Sequence, residues 1–229
     1  MWSEILPFVL AASLGFRHAF ETDHLLAVSN IVTKRNSAFL AMKDGTFWGL
    51  GHSSSILVVG ITMISLRWAI PTYYFQSVEG VVGIMIILLG IARLWQFFKQ
   101  KEVKVHTHEH THDGQTHRHI HIHTETGDKH SHFHVHKLSF GVGIIHGLAG
   151  SGILIAATMA IMKTVGSSLL FLIIFSIGCI GGMIVAAGLL GLPFTKKLHS
   201  FVLIRQTLIV ASCVMCILLG ARIMLENLF

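Results

Sequence analysis

Charged side chains are scarce in this sequence: Asp, Glu, Lys and Arg together make up 12% of the 229 residues. Soluble globular domains carry about 25% of such residues. This scarcity excludes an ordinary soluble domain, and 52% of the residues are hydrophobic. The composition therefore predicts an integral membrane protein.

Cysteine is also rare, and the three cysteines, Cys179, Cys213 and Cys216, all fall inside apolar runs. This placement excludes a disulfide framework. Cys213 and Cys216 form a C-x-x-C pair on one helical face, which allows a soft metal site. Apolar packing is the favoured interpretation, because free cysteine is among the most buried residue types.

A cleavable leader and a nucleic-acid-binding element are both missing. The start "MWSEILPFVL" has no basic leader and no small-residue cleavage site, so we expect the first helix to be retained. No basic recognition element accompanies the net charge of +6, so nucleic acid is not an expected partner.

Long apolar runs dominate the rest of the sequence. A membrane-spanning helix needs about 20 mostly apolar residues, and six runs are long enough. They cover residues 5–30, 46–66, 78–98, 140–162, 167–190 and 202–225. We therefore predict an all-α integral membrane protein with about six transmembrane helices that lies in the lipid bilayer as a multi-pass protein.

The two halves of the chain are weakly similar. "IILLGIARLW" (86–95) is similar to "CILLGARIML" (216–225), and "LGFRHAF" is similar to "GIIHGLAG", both at intervals of about 130 residues. An odd number of helices per half makes the second half cross the membrane in the opposite sense. We therefore predict two inverted three-helix repeats, 1–98 and 138–229, joined by a loop at 99–137.

Basic residues are distributed unevenly between the loops. Three alternate loops carry most of them, including Lys34, Arg35, Lys43 and the pair at 196–197, whereas the opposite side offers Arg67, Lys163 and Arg222. Short cytoplasmic loops are enriched in Lys and Arg. We expect both termini outside and the loop at 99–137 in the cytoplasm, with a bacterial inner membrane as the default location.

Ionisable residues interrupt the apolar runs at a few positions. A charged side chain at the centre of a span raises the free energy of membrane insertion by about 2.5–3.5 kcal/mol. We expect these residues to form one site for a divalent transition metal, which imidazole and carboxylate suit. At about 1.5 Å per residue their depths agree. The predicted metal ligands are His18, Asp23, His24, His52, His146 and Glu21.

Helical geometry restricts how the first of these residues meet. On a regular helix His18, Glu21 and His24 share one side, and Asp23 points away from them. Either Glu21 joins the two histidines, or the helix opens near residues 21–23. We favour an open helix, because broken helices recur at transporter binding sites.

The stretch "RHAFETDH" contains an H-x4-D-H pattern that resembles the first signature of the nickel/cobalt transporter (NiCoT) superfamily. "GLGHSSSILVVG" (49–60) resembles the second signature, and "GIIHGLAGSG" (143–152) is similar to a segment of the urease-accessory, UreH-type branch. The resemblance implies a Ni²⁺ or Co²⁺ carrier in which His18, Asp23, His24 and His52 select or transport the metal. The chain has fewer spans than full-length members and offers His146 where they have acidic membrane motifs.

The loop at 99–137 contains most of the histidines, in alternating H-x-H strings that bind Ni²⁺, Cu²⁺, Zn²⁺ or Co²⁺. The alternation also allows a β-ribbon with histidines on one face. We expect an auxiliary metal-binding loop that buffers or senses metal, or passes it to a cytoplasmic metal chaperone. Its histidines are His106, His108, His110, His112, His117, His119, His121, His123, His130, His132, His134 and His136.

The leading hypothesis is a secondary carrier that takes up Ni²⁺ or Co²⁺ as its transported substrate, uses no organic cofactor and is not an enzyme. Export by the same machinery is one alternative. A second is an intramembrane zinc-dependent hydrolase, although the usual H-E-x-x-H helix is absent. A third is a membrane metal buffer or sensor that works through the histidine-rich loop.

Overall fold

The computed structural model describes residues 2–66, 71–100, 105–112, 115–122, 131–162, 164–195 and 202–228. Most of these residues are helical. The helices are α1 (Trp2–His18), α2 (Thr22–Val32), α3 (Ala38–Leu66), α4 (Thr72–Gln100), α5 (Ser131–Ile161), α6 (Val165–Gly191) and α7 (Val202–Leu228), with a short 3-10 helix at Leu192–Phe194.

The first predicted span is two helices. α1 ends at His18, and α2 begins at Thr22 after an extended Glu21. Turn hydrogen bonds close the link, because the Phe20 and Glu21 amides donate to the Arg17 and His18 carbonyls at 2.9 and 3.1 Å. The prediction that this helix opens is confirmed, but the break lies at residues 19–21 and not at 21–23, because Thr22 and Asp23 already belong to α2.

Within the described part of the chain, four helices are long and apolar enough to cross a membrane. They cover Ala38–Leu66, Tyr73–Lys99, Val165–Phe194 and Leu203–Leu228, and a shorter apolar helix covers Ile5–His18. A helical integral membrane protein is therefore confirmed, and the number of six spans stays a prediction.

The helices are longer than the predicted spans. α4 ends at Gln100 and α5 begins at Ser131, so both enter the segment predicted as loop. α3 likewise begins at Ala38 rather than near residue 46. Hydropathy marks only the part of a helix that lies in hydrocarbon, whereas backbone hydrogen bonds continue into the polar flanks.

The histidine-rich segment contains a β-hairpin, which the all-α prediction omitted and the β-ribbon alternative anticipated. β1 (Val105–His112) pairs antiparallel with β2 (Gln115–Ile122). The register sets His106 opposite His121, His108 opposite His119 and His110 opposite His117. His132, His134 and His136 lie in α5, and the predictions for His123 and His130 fall outside the described residues.

α3 is the central helix of the bundle. It packs along both α5 and α6, while α1 packs on α6 and α4 packs on α7. Large side chains such as Trp48, Ile56, Ile155 and Leu172 are fully buried between these helices. This packing brings α1, α2, α3 and α5 together in the middle of the molecule.

Glycine allows the close contact between α3 and α5. A Cβ atom at Gly143 would overlap the carbonyl oxygen of Trp48, and one at Gly51 would overlap that of Phe140. In contrast, a Cβ at Gly141 would meet no atom within 4 Å. Small residues at helix crossings commonly let membrane helices approach closely.

We predict that Gly143→Ala destabilises the bundle, because overpacking a close contact costs about 1–3 kcal/mol. The matched control is Gly141→Ala two residues away, which should leave stability unchanged or raise it slightly through helix propensity. Thermal unfolding of both variants in detergent measures the difference. Equal midpoints would contradict the role assigned to Gly143.

Candidate metal centre

Four histidines from separate helices meet at the centre of the bundle. His18 ends α1, His24 lies in the first turn of α2, His52 is on α3 and His146 is on α5. Ligand atoms of His18, His24 and His52 lie within 4.8 Å of one another, and so do those of Asp23, His24 and His146. His24 therefore belongs to two groups of three that each could hold a metal ion.

Asp23 joins two of the imidazoles. Its Oδ1 lies 3.0 Å from His24 Nδ1, and its Oδ2 lies 3.1 Å from His146 Nε2. The break after His18 makes this possible, because it reorients α2 so that Asp23 faces α5. The carboxylate thus uses both oxygens to hold histidines from different helices.

Several buried imidazole nitrogens have no hydrogen-bond partner among the described residues. They are His24 Nε2, His146 Nδ1 and both ring nitrogens of His52. Buried polar atoms are normally hydrogen-bonded, and each exception needs an explanation. Neutral imidazole nitrogens are good ligands for first-row transition metals, so this donor set suits such an ion.

The rings pack closely around His24. Its centroid lies 4.6 Å from that of His18, 5.1 Å from His52 and 4.5 Å from His146. The fully buried Trp48 stacks on His24 at 5.6 Å and lies 5.7 Å from His146. This aromatic contact fixes the rings, and it was missed although Trp48 lies one helical turn before His52.

Glu21 occupies the edge of the site. Its Oε1 lies 3.0 Å from His18 Nδ1, but its side chain is 56% exposed and belongs to neither group of three. Asp23 is 27% exposed. The alternative in which Glu21 joins both histidines on an unbroken helix does not occur in this structure.

A second polar cluster surrounds Asp44, which precedes His52 on α3, and it was also missed. Asp44 is fully buried, accepts a hydrogen bond from Arg35 Nη2 at 2.7 Å and lies 2.8 Å from His136 Nδ1. Phe47 stacks on His136 at 4.9 Å. The last histidine of the histidine-rich segment is therefore attached to the helix that carries His52.

The Cys213 and Cys216 pair contacts Asn30 of α2. Asn30 Nδ2 donates to Cys216 Sγ at 2.7 Å, and Cys213 Sγ donates to Asn30 Oδ1 at 3.3 Å. Both thiols are buried and their hydrogen bonds connect α2 to α7. The contacts agree with the packing interpretation of the pair.

The chain matches a family model and several relatives. The NicO family, described as high-affinity nickel-transport protein, matches residues 5–192. The urease accessory protein UreH of Bacillus sp. (strain TB-90) is 35% identical over 182 residues, which cover 80% of this chain and 75% of that protein. No solved structure matches the chain.

Shorter matches connect the chain with larger transporters. The nickel transporter NixA of Staphylococcus aureus is 32% identical over 99 residues, or 38% of this chain and 28% of that protein. The cobalt transport protein NhlF of Rhodococcus rhodochrous is 28% identical over 89 residues, or 25% of its length. Since the family model covers most of the sequence, the chain belongs to the NicO family of nickel-transport proteins.

Proposed function

We propose that this protein is a secondary carrier that moves Ni²⁺ or Co²⁺ through the membrane into the cytoplasm. The observation that carries the proposal is the cluster of buried imidazole nitrogens without partners around Asp23. Family membership supports the substrate class, because the family description names nickel transport. High affinity suits import, since an importer must capture a dilute ion.

The donor set favours borderline metals. His18, His24, His52 and His146 offer imidazole, and Asp23 offers a single carboxylate. Mg²⁺ and Ca²⁺ prefer several oxygen ligands. This site offers too few oxygen atoms to replace the water molecules that these ions would lose on binding. Glu21 would act at the entrance, where its exposed carboxylate attracts the hydrated cation before His18 takes it.

The shared ligand His24 suggests a transfer in two steps. An ion would bind first with His18 and His52, and then with Asp23 and His146. Asp23 is hydrogen-bonded to His24 and His146, so a metal ion that binds there would replace these hydrogen bonds with bonds to the metal. Imidazole and carboxylate must be deprotonated to bind metal, which couples protons naturally to transport.

The packing of the helices is compatible with an inverted repeat, which is typical of many carriers. If the halves are related, the pair α1 and α2 corresponds to α5, α3 corresponds to α6, and α4 corresponds to α7. The α3–α5 contact then corresponds to the α6–α1 contact, and the α4–α5 contact corresponds to the α7–α2 contact. The contacts α3–α6 and α4–α7 each join two corresponding helices, so exchanging the halves leaves them unchanged. All six pairs occur in the bundle, so its packing is compatible with two related halves.

Individual glycine contacts follow the same exchange. Gly51 on α3 lies against the backbone of Phe140, and Gly178 on α6 lies against that of Ala12. Phe140 follows Ala12 in the sequence at the same interval at which His146 follows His18. We infer that the two halves are inverted repeats and that their interface contains the metal route.

The cytoplasmic side would be closed by Trp48 and the Arg35–Asp44 pair. With the basic loops in the cytoplasm, both lie on that side of His52 along α3. His136 contacts Asp44, so an ion leaving the site would pass near the end of the histidine-rich segment. We propose that this segment, including the cross-strand histidines of the hairpin, receives the ion or presents it to a chaperone.

We predict that His24→Ala lowers metal flux by about 10–100-fold or more, because changes around metal ligands have effects of at least that size. The measurement is Ni²⁺ and Co²⁺ entry into sealed vesicles that contain the purified protein, with Zn²⁺ and Mn²⁺ for comparison. His117→Ala is the matched control, since many loop histidines remain. Unchanged flux in His24→Ala would refute the carrier site.

Substitutions of Asp23 and Glu21 should have very different effects on metal flux in the same assay. Asp23→Asn is expected to lose about as much flux as His24→Ala, because it removes the charge between two buried imidazoles. Glu21→Gln should lose about fivefold at most, since a pair this exposed contributes about 0–1 kcal/mol. A larger loss for Glu21→Gln than for Asp23→Asn would reverse the assigned roles.

The carrier also differs from a loop-based buffer or sensor in its response to deletion. Removing residues 105–122 should leave selective flux in vesicles and reduce only the number of metal ions bound at equilibrium. A buffer or sensor requires the opposite order, in which the deletion abolishes function and His24→Ala is harmless. Equilibrium metal binding and flux on the same preparations separate the two.

A further inference from the structure

A cavity of about 660 Å³ lies between α2, α4 and α5, and none of the predicted metal ligands lines it. Val81, Ile84 and Leu88 form much of its wall on α4, and Leu88 is 60% exposed. Gly141 on α5 leaves a gap, because a Cβ there would meet no atom within 4 Å. The cavity is therefore an apolar groove that opens toward the lipid.

One end of this groove is basic. Lys34, Arg93 and Lys137 line it together with Gln96, and none of the described lining residues is Asp or Glu. The apolar residues lie farther along α4 and α5. A groove with a cationic end and an apolar body is amphipathic along its length.

Arg93 is the most deeply buried of these cations. It is 5% exposed and donates to the Thr33 hydroxyl from Nε at 2.8 Å and to the Thr33 carbonyl from Nη2 at 3.2 Å. Both acceptors are neutral, so neither of them balances the charge of the guanidinium group. Buried charges are normally paired with an opposite charge.

Neighbouring cations add to this unbalanced charge. Arg205 Nε is buried without a hydrogen-bond partner in the part of the chain that is described. Burial, followed by the charge of Arg93, lowers the pKa of Lys34, and the smaller effect of Arg35 comes from a cation that is already paired with Asp44. Several positive charges therefore lie close together where an anion would stabilise them.

The position of this end along the bundle identifies the source of the anion. Lys34 follows the end of α2, Arg93 lies in the last two turns of α4, and Lys137 lies in the second turn of α5. In the proposed orientation these positions face the cytoplasmic leaflet. That leaflet carries anionic lipids, and basic pockets between membrane helices bind their head groups.

We propose that the groove binds one anionic glycerophospholipid of the cytoplasmic leaflet. Its phosphate contacts Lys34, Arg93 and Lys137, and an acyl chain lies along Val81 and Leu88 past Gly141. The apolar body excludes free phosphate as the main occupant, and the cationic end repels a metal dication. The leaflet assignment rests on the orientation in the proposed function, but the lipid class does not.

The test is native mass spectrometry of the purified full chain in a neutral detergent, with phosphatidylglycerol titrated against phosphatidylcholine. We expect phosphatidylglycerol to bind at one copy per chain and phosphatidylcholine to bind far more weakly. Lys34→Gln should weaken phosphatidylglycerol binding about fivefold, the contribution of one basic residue near an anionic head group. Lys43→Gln, an exposed lysine on α3, is the matched control.

A second pair of variants tests the apolar part without changing charge. Gly141→Leu should fill the groove and weaken phosphatidylglycerol binding at least as much as Lys34→Gln. Gly181→Leu is its control, because that glycine also has open space around a Cβ but lies on α6. Circular dichroism of each variant verifies that the bundle is folded.

Three outcomes would overturn the proposal. They are equal binding of both lipids, displacement of phosphatidylglycerol by inorganic phosphate, and unchanged binding in Gly141→Leu. Lipid binding is measured without metal, so its loss does not bear on the carrier. Conversely, absent metal flux with normal phosphatidylglycerol binding would count against the carrier and leave the lipid site intact.

Discussion

The contact of Asp23 with two imidazoles is the constraint on which the centre of the molecule depends. His24 lies on α2 and His146 lies on α5, and one carboxylate contacts both. In this structure α1 ends at His18 and α2 begins at Thr22, after the extended backbone of Glu21. The contact also requires α5 to lie against α3 at the distance that Gly143 and Gly51 allow. A change at the break or at these glycines would therefore displace the histidines of the site.

The residues of the site were readable from the sequence because hydrocarbon makes ionisable groups costly. His18, Asp23, His24, His52 and His146 stand out in apolar runs, and depth alone places them near one another. The opening of the first helix was also predictable, since Asp23 and the two histidines of that segment point apart on a regular helix. The structure brings these residues together as expected.

Other features depend on tertiary contacts that leave no local pattern. Trp48 follows another aromatic residue, Phe47, in a largely apolar helix, so nothing separated it from ordinary packing before its stack on His24 was known. The Arg35–Asp44 pair joins a loop to a helix, and hydropathy treats both residues only as charges near a span end. Helix ends were misplaced for a related reason, because a helix continues beyond the bilayer wherever its backbone remains bonded.

The glycine contacts between the helices have a consequence for how such a protein changes over time. Gly51 and Gly178 touch backbone atoms of the opposite half rather than side chains. Contacts of this kind are indifferent to most substitutions in the partner helix, because every residue type presents the same carbonyl. Most side chains of the partner helices can therefore change over time, while the crossing of the helices at these glycines is preserved.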